Sequence, residues 1–149
     1  MVYRKPKDNL EARLRSELVS MCKDTCHILP VENGVHPGTP DINGCYMGVD
    51  FWLELKVLKS VPGKFRIPHL TERQKKFMVD RDRNGGCALL LIRVVDTGYF
   101  LFPWTASVRL HLYTLPQARR YSVWSGITLE GLLHAIQNYA KKRTARSIK

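Results

Sequence analysis

Apolar residues recur at the spacing of an amphipathic helix in three stretches of the chain. In the first stretch Leu10, Leu14 and Leu18 are separated by charged residues, and either Asp8 or Asn9 can cap the N-terminus. The other two stretches begin with a threonine that can serve as a cap and end in glycines or in basic residues. The pattern therefore predicts helices over residues 8–22, over residues 72–83 and from residue 128 into the basic C-terminus.

Denser apolar runs between these helices predict β-strands. Residues 87–95 are nearly all apolar, which is typical of a strand buried on both faces of a sheet. Pro40 disfavours a helical conformation at Thr39, so we expect Asp41 to begin a strand rather than a helix. The predicted strands lie at residues 27–32, 42–47, 51–58, 87–95 and 99–104.

The order of these elements predicts an α/β fold with a small mixed sheet flanked by helices. A chain of 149 residues is long enough to bury a core, and we expect a single domain over residues 1–149. After residue 104 the pattern weakens. A short helix is predicted near residues 106–112, and residues 114–126 are expected to be irregular.

Composition adds the first functional clue. The formal charge is +11 at pH 7 and the pI is near 9.8, a balance that favours nucleic acid as a partner. An anionic membrane is the competing partner, but no apolar run reaches the roughly 18 residues that span a bilayer. The first residues lack the apolar segment of a signal peptide. We therefore expect no membrane partner and a cytoplasmic location, which would be the host cytoplasm for a viral protein.

The cysteines give a weaker signal. Cys22, Cys26 and His27 are close in sequence, but the paired C-x-x-C spacing of zinc modules is missing. Cys22 and Cys26 fit two positions one helical turn apart. We expect neither a structural zinc site nor disulfides.

A polar constellation on the predicted strands carries the chemistry. Glu54 and Lys56 are two residues apart, so on a strand they project from the same face, while Leu53, Leu55 and Val57 face the other way. A carboxylate and an ammonium on an otherwise apolar strand are costly unless they are paired or bind something. With Asp41 nearby, the carboxylates and the Leu55 carbonyl could bind a hard cation such as Mg²⁺. Lys56 would then hold a water or a phosphate.

The run Gly38-Thr39-Pro40-Asp41, followed by Glu54-Leu55-Lys56 and by Thr71-x-x-Gln74 at the start of a helix, resembles the PD-(D/E)XK nuclease superfamily. Within it, the pattern is most similar to VRR-Nuc and Holliday-junction-resolvase-like members, including small phage proteins of that kind. The resemblance covers roughly residues 8–104. Residues 105–149 match nothing we can name and are treated as a C-terminal helical extension.

The resemblance implies a restriction-endonuclease-like core with the order αβββαβ. It implies that Asp41, Glu54 and the Leu55 carbonyl bind Mg²⁺ or Mn²⁺. It also implies that Lys56 orients the attacking water or stabilises the pentavalent phosphate, and that Gln74 lies near the metal. Members often supply another acidic residue from the first helix. Glu11 is our choice for that ligand, and Glu17 is the alternative.

The expected function is a metal-dependent DNA endonuclease that acts on branched, nicked or junction DNA, with a homodimer as a plausible assembly. Two other classes stay open, a non-catalytic DNA-binding accessory protein with a nuclease fold and, with less support, an RNA-binding module. Taken alone, Asp41 could be an ordinary turn residue and Gln74 an exposed helix residue. Further DNA contacts are expected from Lys59, Lys64, Arg66 and Lys75, the first three on an exposed and mobile loop.

Overall fold

A computed structural model describes residues 9–31, 36–67 and 70–147. Six strands form one mixed sheet with helices packed on it, which confirms the predicted α/β class. The predicted order of helix, three strands, helix and strand is confirmed as well. No helix in the described part of the chain is long and apolar enough to cross a membrane. The predicted helix cap at Asp8 and the basic residues 1–7 lie outside the described residues.

The elements follow one another with short connections. The helices are α1 (Leu10–Met21), α2 (Glu72–Arg83), α3 (Trp104–Ser107), α4 (Leu115–Tyr121) and α5 (Leu132–Ser147), with a 3-10 turn at Leu110–Leu112. The strands are β1 (His27–Pro30), β2 (Ile42–Tyr46), β3 (Val49–Leu58), β4 (Ala88–Val94), β5 (Gly98–Pro103) and β6 (Trp124–Gly126). The bounds predicted for α2 are confirmed residue for residue.

The strands lie side by side in chain order, β1 to β6. All neighbouring pairs are antiparallel except β3 and β4, which run parallel. A parallel pair cannot be joined by a tight hairpin and needs a crossover connection. Helix α2, between β3 and β4 in the chain, supplies that crossover and is thereby held against the sheet beside β3.

Helices cover both faces of the sheet. On the first face, α1 and α5 bury Leu14, Leu18, Leu132 and Ile136 against the odd-numbered residues of β3. On the second face, α2, α3 and α4 pack on the even-numbered residues of β4 and β5, through a core that includes Met78, Ala106, Ala118, Leu90, Ile92, Phe100 and Phe102. The odd and even residues of β3 therefore enter different environments, as the period of a strand requires.

The prediction that residues 114–126 are irregular is wrong, because this stretch contains α4 and β6. Thr114 and Gln117 form a capping box at the start of α4, and Pro116 sits in its first turn, where a missing N–H costs nothing. Strand β6 pairs with β5 from Tyr99 to Leu101. The C-terminal third therefore supplies a strand of the same sheet and part of both cores. The extent of the domain, expected as residues 1–149, stays a prediction.

The loop that follows β3 is anchored rather than freely exposed. Phe65 is fully buried, and its N–H donates to the Tyr113 carbonyl at 2.9 Å. Its ring meets those of Phe100 and Phe102 edge-on, with centroids 5.9 and 6.1 Å away. One aromatic side chain thus attaches the middle of residues 59–67 to the second face, and the mobility of the loop stays a prediction. Residues 68 and 69 lie outside the described residues.

Candidate active site

Asp41 occupies the place where the ladder between β2 and β3 ends. Ile42 is paired with Leu53, so the next positions along β2 bring Pro40 opposite Leu55. Proline has no N–H, so a regular ladder cannot continue through it. Instead, the Asp41 side chain takes over, and its Oδ2 accepts a hydrogen bond from the Leu55 N–H at 2.8 Å. This bond fixes the carboxylate beside the middle of β3.

Glu54 and Lys56 lie next to that carboxylate, on the second face. The alternation of β3 points Leu53 and Leu55 into the core of the first face and the two charged residues the other way, as predicted. Both residues are nonetheless buried, with exposed fractions of 2% for Glu54 and 5% for Lys56. Lys56 Nζ is 3.2 Å from Glu54 Oε1. The pair is buried because α2 covers this part of the face.

Gln74 joins the pair through the start of α2. Its Oε1 accepts the Thr71 N–H at 2.9 Å, while the Thr71 hydroxyl accepts the Gln74 N–H, which together form a capping box. With its amide oxygen used by the cap, Gln74 presents its amide nitrogen to Glu54, and Nε2 donates to Glu54 Oε1 at 2.8 Å. The sequence T-x-x-Q thus both starts the helix and aims a donor at the carboxylate.

The electrostatics of Glu54 are unusual for a paired carboxylate. Burial, and after it repulsion from the Asp41 carboxylate, together raise the pKa of Glu54 to about 8 against the opposing effect of Lys56. Lys56 and Gln74 both contact Oε1. The other oxygen, Oε2, is buried and no amide, hydroxyl or ammonium donor of the described residues reaches it, while the Asp41 carboxyl lies close enough for an interaction between the two side chains to raise the pKa of Glu54. A buried acceptor without a partner is costly, so this oxygen is available to a cation.

The Leu55 carbonyl faces the same space. The Trp52 N–H donates to the Cys87 carbonyl, at the start of β4, at 2.8 Å. Even-numbered residues of β3 therefore direct their backbone groups toward β4, and odd-numbered residues direct theirs toward β2. Because β2 has ended opposite Leu55, its carbonyl lies at an open edge beside Asp41.

This donor set fits a hard divalent cation. In the described part of the chain, no three His, Cys, Asp or Glu side chains gather closely enough to hold a metal by themselves. Mg²⁺ does not need such a cage, since it commonly uses one or two carboxylates together with water and substrate phosphates. The Asp41 carboxylate, the Glu54 carboxylate with its buried Oε2, and the Leu55 carbonyl meet that requirement.

The first helix carries both candidates for a third carboxylate ligand. Glu11 and Glu17 are on α1, which packs on the first face. Glu17 is engaged elsewhere, because its oxygens lie 3.4 Å from Arg93 Nη1 and 3.2 Å from the Tyr99 hydroxyl. Among the described residues, no hydrogen bond or ion pair joins Glu11 to the pair, and its role as a ligand stays a prediction.

The predicted DNA-binding residues lie on the loop after β3 and on α2. Lys64 and Arg66 flank the buried Phe65, so both are exposed while their backbone is anchored. Lys59 follows β3 and is also exposed. Lys75 is on α2 and lies 3.1 Å from Glu72, a surface pair that contributes little to stability. These four residues, the basic rim, are accessible to solvent, and their contact with DNA stays a prediction.

The sequence did not single out an aromatic cluster beside the site. Phe77, expected as a core contact, is half-buried and meets Trp52 edge-on with ring centroids 5.2 Å apart, and Arg81 lies over both rings. Two signals pointed to it: Trp52 shares the face of Glu54 on β3, and Phe77 and Arg81 are four residues apart on α2.

No family model and no curated relative matches the chain. Among solved structures, the fold is similar to that of Hjc, a Holliday junction resolvase from the archaeal hyperthermophile Archaeoglobus fulgidus. The two share 20% sequence identity with a TM-score of 0.49, over 63% of this chain and 77% of that one.

Proposed function

We propose that this protein is an endonuclease that hydrolyses DNA phosphodiesters with a bound Mg²⁺ or Mn²⁺ ion. The observation that supports this most strongly is the meeting of Asp41, Glu54 and Lys56 at one open strand edge, with Glu54 Oε2 buried and unpartnered. In a purely structural ion pair we would expect further donors to satisfy the remaining lone pairs of the carboxylate.

In this proposal Asp41, Glu54 and the Leu55 carbonyl hold the ion. The ion would lower the pKa of a bound water and neutralise charge on the phosphate. The Leu55 N–H keeps the Asp41 carboxylate in place, and Gln74 keeps Glu54 Oε1 turned toward Lys56. Once an ion shares the negative charge of Glu54, the Lys56 ammonium is available to a phosphate oxygen or to the attacking water.

We propose a substrate of branched, nicked or junction DNA, as in the VRR-Nuc-like and resolvase-like proteins that the sequence resembles. The net charge of +11 and the exposed side chains of Lys59, Lys64 and Arg66 support binding to a phosphate backbone without sequence preference. A homodimer would place two such sites on two strands of a junction, and it remains part of the proposal.

The test is cleavage of supercoiled plasmid and of a labelled panel (duplex, nicked, flap, splayed and four-way DNA) with Mg²⁺, Mn²⁺ or EDTA. Wild-type protein should cut in either metal and not in EDTA. The variants Asp41→Asn and Lys56→Met should bind DNA and not cut it. Glu72→Gln is the matched control, because it removes a carboxylate that is 89% exposed on the neighbouring helix, and it should cut at the wild-type rate.

Tight, salt-dependent DNA binding without cleavage in any metal would contradict the proposal and favour the accessory-protein alternative. Cleavage by Lys56→Met at the wild-type rate would contradict the role of the lysine alone.

A further inference from the structure

A cavity of about 500 Å³ adjoins the candidate active site, on the second face of the sheet. Its walls come from the 36–39 loop, from Trp52 on β3 and from one side of α2. Trp52 precedes Glu54 by two residues on the same face, a Cα separation of about 7 Å. The cavity and the polar pair are therefore neighbours along a single strand.

The same loop builds the cavity and delivers Asp41. Gly38 has a φ of +97°, and a Cβ there would come within 2.7 Å of the Arg73 backbone. Only glycine permits this approach of the loop to α2, which closes one wall of the cavity. The loop continues through Thr39 and the buried Pro40 to Asp41. The glycine in the Gly38-Thr39-Pro40-Asp41 run thus serves the cavity as well as the turn.

The floor of the cavity consists of two rings that meet edge-on, at an interplanar angle of 64°, and a guanidinium that lies over both. The Arg81 guanidinium carbon lies 5.2 Å from the centroid of Trp52 and 5.2 Å from that of Phe77. Arg81 is an exposed residue, so this platform borders solvent. Aromatic rings and arginine planes are the groups on which unpaired bases stack in proteins that bind single strands.

The charge around the platform suits a nucleotide rather than an apolar ligand. Arg73, Lys76 and Arg81 line the cavity, with Asp80 as its acidic member. Asp80 is paired with Lys76 at 2.5 Å, which leaves the positive charge of two arginines beside the rings. Aromatic rings and a guanidinium bordered by further cations match a base carried on a phosphate backbone.

We propose that this cavity, the base platform of Trp52, Phe77 and Arg81, takes an unpaired base of the DNA strand next to the phosphate that is cut. The inference rests on the proposed function and makes it more specific. DNA with an unpaired nucleotide beside the cleavage position would bind with that base on the platform. Fully paired duplex would bind only through its backbone.

The test is a binding titration by fluorescence anisotropy in EDTA, so that no cleavage occurs. One labelled DNA is a fully paired duplex, and the other is the same duplex with a single-stranded branch. The variants are Arg81→Met and Trp52→Leu, with Trp52→Phe as the conservative replacement. Arg83→Met is the matched control, because Arg83 is an exposed cation on the same turn of α2 and does not line the cavity.

Arg81→Met and Trp52→Leu should weaken binding of the branched DNA by about 10-fold to 100-fold, the range of one lost base stack. Their effect on the duplex should match the small effect of Arg83→Met, and Trp52→Phe should restore most of the branched-DNA affinity. A 2-aminopurine at the unpaired position should lose fluorescence on binding wild-type protein and lose less on binding Arg81→Met.

Equal losses on both DNAs, or Arg81→Met behaving as Arg83→Met, would overturn the base platform. Arg81 is exposed, so this variant decides the test even if Trp52→Leu does not fold. Cleavage by wild-type protein in Mn²⁺ is measured separately on the same DNAs. Its absence would contradict the proposed function, whereas the anisotropy result bears on the platform alone.

Discussion

On one face of β3 lie Phe51, Leu53 and Leu55, and on the other lie Glu54 and Lys56. All five are buried to within a few per cent. The first set is buried among the leucines and isoleucine of α1 and α5, so its burial is favourable in itself. Burial of the second set costs free energy because two charged groups lose their hydration, and one carboxylate oxygen receives no hydrogen bond from a donor of the described residues. Equal burial thus has opposite free-energy consequences on the two faces, which is typical of a strand that serves both a core and a site.

The largest expected effect concerns the polar face. Glu54→Gln keeps the shape and can still accept hydrogen bonds from Lys56 and Gln74, but it removes the charge that would hold an ion. On the proposed function, we expect plasmid cleavage to fall by at least about 10³-fold, comparable to the loss of a principal charge-stabilising group. DNA affinity in EDTA should stay within about threefold of wild type, and retained cleavage would contradict the role of Glu54.

The counterpart on the apolar face is Leu53→Ala. Because Leu53 is 1% exposed and lies in the core of the first face, truncation should lower the free energy of unfolding by about 2–5 kcal/mol. Urea denaturation measures this change. The protein that remains folded should cleave at the wild-type rate. A loss of cleavage without a loss of stability would contradict the distinction between the two faces.

A third prediction uses the pH dependence of stability. Since the pKa of Glu54 is raised from 4.5 to about 8, the folded metal-free protein keeps a proton that the unfolded chain releases. The free energy of unfolding should therefore fall as pH rises between these two values, by a few kcal/mol at most. In Glu54→Gln this fall should be absent. Parallel urea-derived pH curves for the two proteins would contradict the raised pKa.

A smaller effect is expected at Gln74. In Gln74→Ala the cap loses one hydrogen bond and Glu54 loses one donor, so stability should fall by about 1 kcal/mol. On the proposed function, cleavage should fall by about 10-fold, because Glu54 is less well oriented. Gln117→Ala is the matched control, since Gln117 makes the corresponding cap on α4, away from the site. A similar loss of cleavage in both variants would argue against orientation.

The smallest effect is expected at the basic rim. Arg66→Gln should weaken duplex binding only a few-fold, uniformly across sequences, and lower the salt slope of log Kd by about 1. Anisotropy titrations at several salt concentrations measure both quantities. An unchanged salt slope would show that Arg66 makes no contact with a DNA phosphate.

The local parts of this arrangement were predictable from the sequence. The i and i+2 spacing fixed the shared face of Glu54 and Lys56, and Thr71 with Gln74 marked the start of α2. The proline before Asp41 also indicated the start of the following strand, although the hydrogen bond from Asp41 to the Leu55 N–H follows from the register of β2 against β3.

The parts that sequence reasoning missed depend on contacts between distant segments. In the sequence Phe65 is a single aromatic residue in a basic loop, with no local pattern that predicts its burial. It is buried because it packs on Phe100 and Phe102 of β5. Strand β6 has three residues, too few for a period to show. The cap of α4 did have a local signal, Thr114 with Gln117 and Pro116, which we did not weigh. Trp52 and Phe77 meet only because α2 crosses beside β3.

The most direct test of the central claim is isothermal titration of Mn²⁺ into wild-type protein, Asp41→Asn and Glu54→Gln, without DNA. If the two carboxylates and the unpartnered Glu54 oxygen form an ion site, wild-type protein should bind Mn²⁺ and gain thermal stability from it. Each variant should lose at least about 10-fold in affinity. Equal binding by all three proteins, or no binding by the wild type, would contradict the account.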